Sequence, residues 1–131
     1  MTEAELIAAF EATTLPAEQF THEAHVRVAW AYLRRAPLPD ALVAFANGLK
    51  RYAAAKGAAD KYHETVTVAW MLLIAERTGD SPDSVWAEFS RTNADLLQRE
   101  PSPLARYYSP DVLSSERARR GFVMPRVSGL E

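Results

Sequence analysis

The stretch THEAHVRVAWAYLRRAPLPD, residues 21–40, decides the fold. Thr21 is a favourable N-cap, and Val26, Ala29, Trp30 and Leu33 follow it at the spacing of one helix face. Pro37 and Pro39 disfavour continuation, so this helix should end near Ala36, with Asp40 as the cap of the next. A connection this short makes the two helices antiparallel neighbours.

The same pattern extends outward in both directions. Upstream, Ala4 to Thr13 carries Leu6, Ile7 and Phe10 and ends before Pro16. Downstream, the helix from Asp40 presents Leu42, Val43, Phe45, Ala46, Leu49 and Tyr52 and is closed by Gly57. Asp60 is the expected cap of a fourth helix, with Val66, Trp70, Leu73 and Ile74 inside and Gly79 at its end. Ser81-Pro82-Asp83 is a start signal for a fifth, through Val85, Trp86, Phe89, Leu96 and Leu97 to about Glu100. Ser109-Pro110-Asp111 repeats that signal for a basic helical stretch to about Arg120, and the tail from Phe122 should be extended. No segment alternates with period two, so no sheet is expected. The reading is an all-α, single-domain bundle over residues 1–131: about five helices, mostly up-and-down, with a short C-terminal helix.

Composition narrows the function. With 131 residues, 48% apolar and 24% charged, the chain can bury one continuous core. A formal charge of −2 gives no reason to expect nucleic acid or an anionic membrane as partner. The absence of cysteine excludes disulfides, thiolate nucleophiles and iron–sulfur clusters. The start MTEAELIAAFEATTL has no basic n-region and no uninterrupted apolar h-region, so a cytoplasmic protein is expected.

The three histidines of the chain, His22, His25 and His63, are its candidate site. His22 and His25 are three apart, on the face that continues into Val26, Ala29 and Leu33. His63 lies on the side of its helix that continues through Val66, Thr67, Trp70 and Ile74. Short connections make the helices of His22 and His63 parallel, with their N-termini at one end of the bundle. The fifth helix should deliver Arg106, Tyr107 and Tyr108 to that end.

Neutral imidazole is a common ligand for divalent transition metals, which predicts zinc, nickel, copper or iron on His22, His25 and His63. Glu64 or Asp60 would be an additional ligand and water would fill an open position, with Arg106, Tyr108 and Tyr62 binding a small anionic substrate. The alternative is a metal-free carboxylate or phosphate pocket in which a histidine is the acid–base group. A third reading is an interaction or assembly module, a homo-oligomer included, with structural histidines. No specific catalytic residue is assigned. Trp30, Trp70 and Trp86 read as core. Arg117, Arg119, Arg120 and Arg126 read as a solvated helix end or as a lid folded over the histidines.

The segments Phe20-Thr21-His22-Glu23-Ala24-His25, Tyr62-His63-Glu64-Thr65 and Arg106-Tyr107-Tyr108-Ser109 form a layout that resembles a family of small all-helical bacterial proteins with no established activity. The resemblance spans Phe20 to about Pro125. It implies that these segments belong to one recurring arrangement, and it supplies no substrate or cofactor.

Overall fold

Apolar residues spaced three and four apart produce helices, and a computed structural model of the chain, which describes residues 1–80 and 82–126, is all-helical. Five helices build the body: α1 (Glu3–Glu11), α2 (His22–Arg35), α3 (Leu38–Ala55), α4 (Glu64–Asp80) and α5 (Trp86–Thr92). Two short ones follow, α6 (Pro110–Leu113) and α7 (Glu116–Arg120). Single 3₁₀ turns at Ala17–Gln19, Ala59–Lys61, Ala94–Leu97 and Pro103–Arg106 connect them.

The caps show why the boundaries fall where they do. Thr2 and Glu5 form a reciprocal capping box on α1. Thr21 caps α2, its hydroxyl accepting from the Ala24 N–H. Helix α3 starts two residues before Asp40, because Pro39 sits in the first turn, where a missing N–H costs nothing. Helix α4 is not capped by Asp60, which lies in the preceding 3₁₀ turn; the His63 ring accepts from the Val66 N–H instead. Ser81 lies outside the described residues, and α5 starts at Trp86, after Val85.

That fifth helix is shorter than its apolar spacing implies. Asn93 ends it, its amide donating back to the Phe89 carbonyl while its side-chain oxygen accepts from Arg77. Arg77 also forms a two-pronged bond to Asp95, at 3.0 and 2.8 Å, which holds the following 3₁₀ turn against α4. The basic stretch after Pro110 is broken at Ser114. Ser109 caps α6, and Ser115 caps α7 with a bond from the Ala118 N–H.

One core joins α1 to α4, α5 and the Leu104 turn. Phe10 is its centre. Its ring lies 5.3 Å from Phe20, 5.9 Å from Phe45, 5.8 Å from Tyr52 and 6.4 Å from Tyr32. Gly48 on α3 makes room for it, since a Cβ there would stand 2.9 Å from the Phe10 ring. Trp30 is buried as expected from its helix face, in tilted contact with Trp86 and Phe89.

The C-terminal segment runs across the first turn of α4. The buried Thr65 hydroxyl donates to the Gly121 carbonyl at 2.9 Å and accepts from the Val123 N–H at 3.0 Å. Residues 122–126 carry no helix. Among the described residues no helix is long and apolar enough to cross a membrane.

Candidate functional site

Between the N-terminal halves of α2 and α4 and the C-terminal half of α3 lies a cavity of about 540 Å³. His22, His25 and His63 all line it, together with Tyr62. Two helices running in one direction, with a third returning between them, bring their N-terminal histidines to one end. Sharing a cavity is not sharing a metal. Among the described residues, no group of three or more His, Cys, Asp or Glu is placed to hold an ion.

Each ring is held differently, and the hydrogen bonds fix which nitrogen carries the proton. His63 Nδ1 accepts from the Val66 N–H at 3.1 Å, so it is unprotonated. Its Nε2–H therefore donates to the Leu113 carbonyl at 2.7 Å. Both nitrogens of His63 are used by backbone, and coordination by either would break one of these bonds. His22 donates Nε2–H to the Leu96 carbonyl at 2.9 Å and meets the Trp70 indole edge-on, with centroids 5.0 Å apart.

His25 has no comparable anchor. Its ring is stacked on Phe20 with centroids 3.8 Å apart, and among the described residues its nitrogens carry none of the bonds that fix the other two. Burial, then the positive fields of His22 and Arg99, lower its pKa to about 4. His25 is thus a neutral imidazole at physiological pH, on the wall of the cavity.

A stability consequence follows with a definite sign. Between pH 6.5 and 4 the unfolded ring binds a proton that the folded ring refuses, so stability present above pH 6.5 is lost as pH falls towards 4. Urea unfolding across that window should show a steeper pH dependence in the wild type than in His25→Gln, by at most about 1.4 kcal/mol per pH unit. Parallel curves would contradict the neutral, half-buried ring.

The remaining expected site residues divide. The Tyr62 hydroxyl donates to the Glu64 carboxylate at 2.7 Å, and burial together with that bond raises the phenol's pKa. Glu64 is thereby engaged beside the cavity, outside its lining. Asp60 is exposed, and its carbonyl accepts from Arg119 at 3.5 Å. Arg106 is exposed on the last 3₁₀ turn, and Tyr108 is buried elsewhere, its hydroxyl donating to the Val123 carbonyl at 2.7 Å. Tyr108 lines a separate hollow of about 160 Å³ with Leu72, Leu73 and Leu104. The Arg-Tyr-Tyr segment is absent from the lining of the histidine cavity: Tyr107 and Tyr108 lie instead at the hollow beside Leu72, Leu73 and Glu76 of α4.

Sequence reasoning passed over the cations that do meet them. Lys56, Lys61 and Arg99 line the cavity, while among the described residues no Asp or Glu does. Lys56 and Lys61 bracket the connection from α3 to α4, and Arg99 follows the 3₁₀ turn beyond α5. The connectivity that gathers the histidines places them at the same end. Of the C-terminal arginines, Arg119 and Arg120 pair with Glu116 on α7, away from the cavity lining.

Comparison with protein-family models, with curated proteins and with solved structures returned no match for this chain.

Proposed function

We propose that this protein binds a small organic anion in the histidine cavity, without a metal, with His25 as the neutral acid–base or hydrogen-bonding group. The observation that carries this reading is the lining: among the described residues, three cations and three imidazoles in an otherwise largely apolar wall, with no carboxylate. An anion placed there gains attraction from Lys56, Lys61 and Arg99 and meets no like charge. Tyr62 and Ser102 add hydroxyls at the same surface. The metal reading has weaker support, because His63 gives both nitrogens to backbone.

Thermal-shift assays and isothermal titrations with phenylacetate, hexanoate and phenyl phosphate test the proposal. At least one should raise Tm and bind with a stoichiometry of one. Arg99→Glu or Lys61→Glu should weaken that binding about three- to tenfold, the scale of an exposed charge contact reversed in sign. A protein indifferent to every anion, or equal binding by the charge-reversed variants, would overturn it. Elemental analysis of untagged protein supplies the competing outcome. One equivalent of zinc, nickel, copper or iron, lost in His63→Ala, would establish the metal reading instead.

A further inference from the structure

The cavity is chemically graded from floor to rim. Its floor is made by Val26, Ala29, Met71 and Ile74, all buried and none with a side-chain donor or acceptor for a polar ligand. Its cations, Lys56, Lys61 and Arg99, are exposed residues, so the charge sits at the mouth. A compact polar anion would use only the mouth and leave the floor unoccupied. A long neutral molecule would use only the floor.

We infer that the ligand is an amphipathic acid, its apolar body against the Val26–Ala29–Met71–Ile74 floor and its anionic head between Arg99 and Lys61 at the rim. This rests on the organic-anion reading and names the class of anion within it. The stacked ring of His25 lines the same cavity. A volume of about 540 Å³ lies within the range of small-molecule pockets, enough for a body of medium length. A carboxylate and a phosphate monoester both meet the requirement for the head.

A chain-length series on the full-length wild-type protein tests the inference. Butanoate, hexanoate, octanoate and decanoate are titrated calorimetrically below their micelle concentrations, beside octanol and octyl phosphate. Affinity should rise about fourfold per added methylene, the factor expected for burying one such group, and then level off once the cavity is filled. Octanol should bind more weakly than octanoate and be insensitive to Arg99→Glu, an exposed change that leaves the core intact. NMR shifts of the Trp70 indole and the His25 ring should follow the titration. The tighter of octanoate and octyl phosphate identifies the head, and either order supports the class.

Three results overturn the inference. They are acids that bind with no dependence on chain length, octanol that binds as tightly as octanoate, and multiple sites with Trp70 and His25 unmoved. The first leaves the organic-anion reading standing, since a short polar anion would then be the ligand. Failure of every acid and phosphate to bind removes that reading as well.

Discussion

Phe10→Ala should destabilise the fold by about 3–5 kcal/mol, the range for removing a fully buried phenyl ring and leaving the space empty. Phe10 is 0% exposed, and four aromatic rings have centroids within 6.4 Å of its own. Collapse around the vacancy is hindered, because Gly48 opposite contributes no side chain to move inward. For a chain of this size the loss corresponds to a Tm lowered by roughly 10–20 °C. Urea and thermal unfolding measure it directly, and a loss under about 1 kcal/mol would contradict the assignment of Phe10 as the centre. The effect should reach the cavity too, since Phe20, Phe45 and Tyr52 form part of its wall and lean on Phe10. Leu72→Ala, at an exposed position, is the control and should change stability by less than about 0.5 kcal/mol.

Thr65→Val should cost about 2–4 kcal/mol, a large effect for exchanging a hydroxyl for a methyl group. Shape is kept. What is lost is the hydroxyl that donates to the Gly121 carbonyl and accepts from the Val123 N–H against α4. Two backbone groups left without partners cost roughly 1–3 kcal/mol each, less where water reaches them. Thr65→Ser should recover most of the loss. Amide exchange at Val123 should accelerate in the valine variant and stay slow in the serine one. A valine variant as stable as the wild type would show that the segment after α7 is not fastened at this point.

The helical class was legible from residues 21–40 alone because apolar spacing and proline placement act locally. Thr21 and Ser109 were legible as caps for the same reason. Asp40 and Asp60 were misread as caps, and in each case a competing local effect decided. Proline is welcome in a first turn, which let α3 begin at Leu38. A histidine ring can accept a backbone N–H as a carboxylate does, which gave the cap of α4 to His63. The length of α5 was not legible, because its end is set by Arg77, sixteen and eighteen positions from Asn93 and Asp95.

The candidate site divides along the same line. Connection lengths place His22, His25 and His63 at one end, a topological matter that sequence carries. The engagement of the His63 nitrogens depends on the Leu113 carbonyl fifty residues away, and nothing in the spacing of histidines reports that. Arg106 and Tyr108 are expected at that end from a fifth helix running to about Glu100; α5 ends at Thr92, and the cavity lining includes neither residue. The rim lysines and Arg99 were passed over because isolated cations have no motif. Only their position on the bundle end marks them.

The bonds that close this end of the molecule are unusually distant in sequence. His22 reaches Leu96, His63 reaches Leu113, and Thr65 reaches Gly121 and Val123. During synthesis, the His22 bond can form only after residue 96 has emerged from the ribosome, the His63 bond only after residue 113, and the Thr65 bonds only after residue 123. The end of the bundle that carries the histidines is therefore completed late in biogenesis, and a translation product arrested before residue 96 would lack all of these fastenings.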